Sequence, residues 1–149
     1  MADKRDFPIT PNFRLSEFEV SRTQPELVEP VPDGCLPNVI KLAVTILQPL
    51  REKVGPLRIL SGYRAPALNR AVGGSDGSQH MQGQAADITA RQMETHILFT
   101  QIQRDAYDLK VGQVIYYPTE NFVHVALQNA KYRTPTFFLS RAGTLTKVY

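Results

Sequence analysis

The feature that most constrains the fold of this chain is the order in which helical and strand patterns of apolar residues occur. Helical patterns come early and strand patterns come late. Apolar residues recur at helical spacing over Asn38–Val54 and again over Arg91–Arg104, which predicts two amphipathic helices. Short apolar or alternating runs predict strands over Leu57–Ser61, Ala85–Thr89, Val111–Tyr117, Phe122–Leu127, Phe137–Ser140 and Leu145–Tyr149. Because helices and strands do not alternate regularly, we expect an α+β fold with a small antiparallel sheet and helices packed on one side.

Prolines and glycines mark the breaks between these elements. Pro49 lies inside the first helix and predicts a kink or a break there. Pro66 predicts the start of a short helix that runs to Val72, where two glycines follow. The turn-forming residues 75–78 then predict a loop that leads to His80.

Length and composition exclude several classes of protein. With 149 residues, 42% of them hydrophobic and 21% charged, the chain is expected to be one soluble domain over residues 1–149, and we expect a monomer. The net charge of +3 is scattered without a basic stripe, which argues against a nucleic-acid partner. No apolar run approaches the ~18 residues of a membrane span. Cys35 is the single cysteine, which excludes an internal disulfide and a thiolate-rich zinc site.

Two histidines and one carboxylate form a candidate metal site. His80 and Asp87 stand seven positions apart on a glycine-rich approach to a strand. In the strand Phe122–Leu127, alternation places His124 on the face opposite Val123 and the other branched residues. Two imidazoles and one carboxylate are a donor set of catalytic zinc, which leaves the fourth position to water. The other interpretation is that His124 is a hydrogen-bonded histidine of the core and that the spacing of His80 and Asp87 arises by chance. These residues alone therefore leave metal binding open.

Motifs along most of the chain carry a resemblance to a known family. They are Ser61-Gly62-Tyr63-Arg64, Leu68-Asn69, Gly73-Gly74, the string Ser78-x-His80-x-x-Gly83-x-Ala85-x-Asp87 and Val123-His124-Val125, with the runs from Phe13 to Phe18 and from Leu47 to Arg51. Together they resemble the zinc D-alanyl-D-alanine carboxypeptidases and phage endolysin peptidases of the A-type. That family belongs to the lysostaphin-like and hedgehog-like metallopeptidase group. The resemblance covers roughly residues 13–127 and implies a fold of the hedgehog and DD-peptidase kind.

The resemblance assigns the three donors to zinc. It implies that His80, Asp87 and His124 hold the metal. It also implies that Gly83 permits the tight turn between the first two ligands.

The resemblance also implies a substrate site upstream of these ligands. Arg64 would bind the C-terminal carboxylate of a peptidoglycan stem peptide or hold the developing oxyanion, with Tyr63 beside it at the substrate. Ser78 would hydrogen-bond the substrate or support a ligand.

The chain departs from the family at the general base. Many members carry an acidic residue three positions before the last histidine, and this chain has Asn121 there. An amide does not accept a proton, so we predict the adjacent Glu120 as the base if its loop turns inward. The alternative is a solvated loop charge.

These inferences predict a zinc-dependent peptidase that acts on peptidoglycan stem or cross-bridge peptides, as carboxypeptidase or endopeptidase. The alternative is a non-catalytic cell-wall-binding or phage structural module that keeps the fold. Because the segment Met1–Phe7 is charged and has no apolar signal region, we expect the chain to be cytoplasmic as synthesised. It would act at the cell wall if released or carried by a phage particle.

Overall fold

A mixed six-stranded sheet forms the centre of the molecule. The computed structural model describes residues 5–149 and confirms the α+β class. Residues 1–4, which form part of the segment expected to carry no secretion signal, lie outside this range. The strands are β1 (Pro8–Thr10), β2 (Phe13–Arg14), β3 (Leu57–Ser61), β4 (Ala85–Ala90), β5 (Val111–Tyr117), β6 (Phe122–Leu127), β7 (Thr136–Arg141) and β8 (Thr144–Val148). The first two form a small separate sheet, and the others lie in the order β3-β4-β6-β5-β7-β8.

Four α-helices and shorter helical segments complete the fold. The α-helices are α1 (Leu36–Leu42), α2 (Gln48–Val54), α3 (Pro66–Ala71) and α4 (Thr95–Leu109). A π-helical segment, Ala43–Leu47, joins α1 to α2, and 3-10 turns cover Leu15–Phe18, Pro25–Leu27 and Gln79–Gln82.

The first predicted helix passes through its proline without a break. It begins at Leu36 and continues through Pro49 to Val54. The π-helical segment ends at Leu47, two positions before Pro49, which cannot donate the usual hydrogen bond to the preceding turn. A local change of hydrogen-bond register therefore accompanies the proline, and the helix does not break there.

The second long helix starts later than its apolar pattern predicts. The prediction was Arg91, whereas α4 begins at Thr95 because β4 continues to Ala90. Thr89 pairs with Arg58 of β3 in an antiparallel ladder. Pairing between strands thus delays the start of the helix beyond the first residue of its apolar pattern.

One pairing within the described sheet is parallel rather than antiparallel. β7 runs parallel to β5, with Gln113 opposite Thr136 and Tyr116 opposite Leu139. Residues 128–135 connect β6 to β7, which lies on the other side of β5 in the sheet. The β7–β8 hairpin therefore extends the sheet on the side away from β3.

The long helices cover one face of the sheet. Ile88, Val123 and Val125 are fully buried from that face and belong to one apolar cluster with residues of the helices such as Leu50 and Ile102. Burying this face supplies the main favourable free energy for folding. Within residues 5–149, each helix is too short or too polar to cross a bilayer.

The other face carries a single row of paired residues across four strands. Ser61 of β3 lies opposite Asp87 of β4, and Asp87 lies opposite His124 of β6. His124 in turn lies opposite Ile115 of β5. The predicted alternation in β6 is confirmed, since His124 and Val123 lie on opposite faces.

Gly62, immediately after β3, allows two backbone segments to approach closely. A Cβ atom at this position would lie 2.5 Å from the carbonyl oxygen and 2.7 Å from the Cα of Phe18. The same Phe18 oxygen accepts a hydrogen bond of 2.9 Å from the backbone N–H of Tyr63. A side chain at Gly62 would therefore push apart a buried backbone contact.

We predict that Gly62→Ala lowers the free energy of unfolding by about 1–3 kcal/mol, the usual effect of overpacking. Urea denaturation followed by circular dichroism measures the change. Gly34→Ala is the matched control, because a Cβ at Gly34 meets no atom within 4 Å. Equal stability of the two variants would show that the close contact between the backbones of Gly62 and Phe18 does not require a glycine.

Candidate metal centre

Three donor atoms converge on the open face of the sheet. His80 Nε2 lies 3.2 Å from His124 Nδ1 and 3.3 Å from Asp87 Oδ1. His124 Nδ1 lies 3.0 Å from the same carboxylate oxygen. All three side chains are buried. The structure thus brings together the three residues predicted as metal ligands and forms a nearly equilateral triangle of donors.

The turn that carries His80 is held at both ends. The Ser78 hydroxyl accepts a hydrogen bond of 3.2 Å from the backbone N–H of His80 and caps the 3-10 turn. Gly83 ends the turn with a φ of +74°, where a Cβ would lie 2.9 Å from a Val39 methyl group. Gln79 Nε2 donates to the Leu127 carbonyl at 2.9 Å and ties the turn to β6. The glycine-dependent turn between the first two donors is therefore present.

The backbone determines which nitrogen of His80 faces the other donors. His80 Nδ1 lies 2.8 Å from the carbonyl oxygen of Gly62. A carbonyl oxygen only accepts, so Nδ1 carries the proton and Nε2 presents its lone pair to Asp87 and His124. A carbonyl partner of this kind is the usual support of a metal-binding imidazole.

The triangle has the dimensions that a tetrahedral zinc ion requires. Ligand atoms at about 2.0–2.2 Å from such an ion stand about 3.3–3.6 Å from one another. The observed separations of 3.0, 3.2 and 3.3 Å are close to that range. The Nε2 atom of His124 is buried and has no hydrogen-bond partner among residues 5–149. Two imidazole nitrogens and one carboxylate oxygen at these separations are a donor set of zinc, so the residues present fit the metal.

Burial and the two neighbouring histidines act in opposite directions on the pKa of Asp87. Burial alone raises the pKa of Asp87, but the neighbouring imidazoles of His80 and His124 outweigh it and hold that pKa well below its usual range. Burial lowers the pKa of His124 in spite of its contact with Asp87. Both shifts favour the protonation states that bind a metal, a carboxylate and a neutral imidazole.

The guanidinium of Arg64 is held by groups within the protein. Its Nη2 lies 3.2 Å from Asp87 Oδ2, and its Nε donates to Ser61 Oγ at 3.2 Å. A longer contact of 3.5 Å joins Nη1 to Asn69 Oδ1. Arg64 therefore positions Asp87 and leaves Oδ1 of that carboxylate for the two histidines.

The donor triangle opens into a cavity of about 520 Å³. Its walls come from the loop before His80, from β5 and β6, and from the segment that leads to β7. The lining residues are Arg64, Val72, Gly73, Gly74, Ser75, Gly77, Ser78, Gln79, His80, Asp87, Gln113, Ile115, Tyr117, Phe122, His124, Asn129, Lys131, Tyr132 and Leu145.

The other predicted site residues divide into two groups. Arg64 and Ser78 line the cavity, although both also support donors. Tyr63 is buried in the apolar core and does not line the cavity, so its contact with substrate stays a prediction.

Neither predicted base position lines the cavity. Glu120 is exposed in the turn between β5 and β6. Asn121 has a φ of +64° and lines a second groove with Arg58 and Tyr116. The catalytic role of Glu120 stays a prediction.

Sequence reasoning missed the contribution of β5 to this cavity. Gln113, Ile115 and Tyr117 alternate along β5 and line the cavity on the same side as His124. The alternation of side chains along a strand, applied to two strands joined by a short turn, would have found them. The segment 129–132 adds Lys131 and Tyr132 from the far side.

Comparisons with known proteins find one family model and several relatives that match this chain. The model of the family described as peptidase M15 matches residues 11–126. The peptidoglycan L,D-endopeptidase MepK of Escherichia coli is 34% identical over 84 residues, which cover 53% of this chain and 44% of that protein. The probable peptidoglycan L,D-endopeptidase MepK of Haemophilus influenzae is 28% identical over 94 residues, which cover 60% and 48%. The matched regions span about half the length of these relatives.

We predict that the metal-free protein loses stability as the pH falls. The pKa values of Asp87 and His124 are lowered in the folded state, so the unfolded chain binds more protons in acid. The loss begins below about pH 6.5 for His124 and below about pH 4 for Asp87, and each proton contributes at most about 1.4 kcal/mol per pH unit. Urea denaturation at pH 7, 6 and 5 with a chelator measures the free energy of unfolding. His124→Gln is the comparison and should depend less steeply on pH. A wild-type stability that is constant or rises toward pH 5 would contradict this prediction.

Proposed function

This chain belongs to the peptidase M15 family, and from that membership we propose that it is a zinc-dependent peptidase that hydrolyses peptide bonds of peptidoglycan. The observation that carries the proposal is the donor triangle of His80, Asp87 and His124 at the base of a cavity. The similarity to two peptidoglycan endopeptidases supports an endopeptidase acting on stem or cross-bridge peptides. We place its action at the cell wall, where that polymer lies.

In the proposed reaction, zinc held by the three donors supplies Lewis-acid activation of water and polarisation of the scissile carbonyl. His80 is held by the Gly62 carbonyl so that its Nε2 faces the metal position. Arg64 binds the second oxygen of Asp87 and orients that carboxylate. These contacts preorganise the site, so that little reorganisation is needed when substrate binds.

The reaction also needs an acceptor for the proton of water. Asp87 is the single carboxylate among the described residues that line the cavity, and it is engaged by Arg64. We propose Glu120 as acceptor, because it follows the cavity-lining residue Tyr117 by three positions. It would act from the turn between β5 and β6.

A second function follows from the same observation. With no free carboxylate on its described walls, the cavity also suits a module that binds peptidoglycan peptides and zinc without cleaving them. Such a module would keep the fold and the donor triangle. The two functions differ in one measurable outcome, the release of peptide fragments.

We predict that zinc stabilises the chelator-stripped protein by about 2.7 kcal/mol when its free concentration is 100 times Kd. The zinc-loaded protein should release fragments from purified peptidoglycan, as detected by mass spectrometry. His80→Ala should lose both the stabilisation and the cleavage, because it removes one of three donors. His96→Ala is the matched control, since His96 is exposed on α4.

The outcomes separate the two functions. Zinc binding with release of fragments supports the peptidase. Zinc binding with retention on intact peptidoglycan, and with no fragments over long incubation, identifies the binding module. An unchanged response of His80→Ala to zinc would contradict the metal site itself.

A further inference from the structure

Tyr117 brings a hydroxyl group to the metal cavity from the strand next to His124. Ile115 lies opposite His124 in the ladder, and Tyr117 lies opposite Phe122, two positions further along. The rings of Tyr117 and Phe122 stack with centroids 4.6 Å apart and planes inclined by 20°. Since alternate side chains of a strand share a face, Tyr117 is on the side of the sheet that holds the donors. Packing fixes the ring there.

The hydroxyl of Tyr117 is available to a ligand. It makes no hydrogen bond with any of the residues 5–149, and it is not a buried atom. Tyr117 is one of the residues that line the cavity, so a ligand bound there lies next to this side chain. Burial of the ring and the negative charge of Asp87 raise the pKa of the phenol, so it keeps its proton at neutral pH. The group is thus a hydrogen-bond donor rather than a base.

Two other polar groups that line the cavity already contact the protein. The guanidinium of Arg64 contacts Asp87, Ser61 and Asn69. The Ser78 hydroxyl oxygen accepts a hydrogen bond from the backbone N–H of His80, which fixes its position in the turn. Of these three side chains that line the cavity, Tyr117 is the one whose polar group has no hydrogen bond or ion pair with the described residues.

We infer that Tyr117 is a further catalytic residue, whose hydroxyl donates a hydrogen bond to the carbonyl oxygen of the scissile peptide bond. The inference rests on the proposed peptidase function. As water adds to the carbonyl carbon, the π electron pair moves to that oxygen, and the hydrogen bond strengthens with its negative charge. The pair returns when the C–N bond breaks, and the proton from water leaves with the amine. The phenol keeps its own proton throughout.

Tyr117→Phe tests the inference, because it removes the hydroxyl and leaves the stacked ring. In the zinc-loaded protein, kcat on a wall peptide should fall about 10²- to 10³-fold, the usual effect of losing one oxyanion donor. KM should change by less than roughly threefold, since the bond forms mainly in the transition state. A phosphinate peptide, which carries charged oxygens in place of the carbonyl, should bind more weakly by calorimetry. Zinc affinity and melting temperature should be unchanged.

Tyr116→Phe is the matched control. It deletes the same hydroxyl one position earlier, on the opposite face, where the Tyr116 ring stacks on Phe99 at 5.4 Å. Its kcat and its affinity for the phosphinate should equal those of the wild type.

Two results would overturn the role of Tyr117 and leave the peptidase intact. One is a Tyr117→Phe variant with wild-type kcat and phosphinate affinity. The other is a loss of zinc affinity that accounts for the whole loss of rate, which would make Tyr117 part of the metal site. A wild-type protein that cleaves no wall peptide and binds no phosphinate would instead refute the proposed function, and the inference with it.

Discussion

The ion pair between Asp87 and Arg64 is the contact on which the site depends. An unpaired buried carboxylate costs several kcal/mol, so Asp87 needs a cation within the protein before any metal arrives. Arg64 Nη2 binds one carboxylate oxygen and leaves the other for the histidines. Arg64 also contacts Ser61 and Asn69, and Asn69 Nδ2 donates to the Ser75 carbonyl at 2.9 Å. The end of β3, the carboxylate and the loop before His80 are thereby linked through one guanidinium.

Strand register turns this contact into a functional geometry. Ser61, Asp87, His124 and Ile115 form one row across β3, β4, β6 and β5. If the pairing of β4 or β6 with its neighbours slipped by one residue, Asp87 or His124 would move to the face covered by the helices. The apolar residues that alternate with them oppose such a slip, because their burial stabilises the fold. The stability of the core therefore also fixes the positions of two of the three donors.

Local periodicity is sufficient for part of this arrangement. It places the side chains of His124 and Val123 on opposite faces of the sheet, because side chains alternate with a repeat of two along β6. The same rule reaches Tyr117 once β5 and β6 are recognised as a hairpin. It fails at the start of α4, where β4 pairs with a distant strand, and at the parallel pairing of β7. The position of Glu120 depends on how the turn closes, and the partners of Arg64 depend on tertiary contacts, so spacing along the sequence encodes neither.

The charges that line the cavity are mostly positive among the described residues. The cations Arg64 and Lys131 outnumber the single carboxylate Asp87, and a bound zinc ion would add two further positive charges. A positive cavity concentrates anionic ligands. Lys131 follows the family-matched residues 11–126, in a turn where Asn129 Oδ1 accepts the backbone N–H groups of Lys131 and Tyr132. The three donors thus lie within the part of the chain that the family model matches, whereas the cation Lys131 lies on the connection to β7 that follows it.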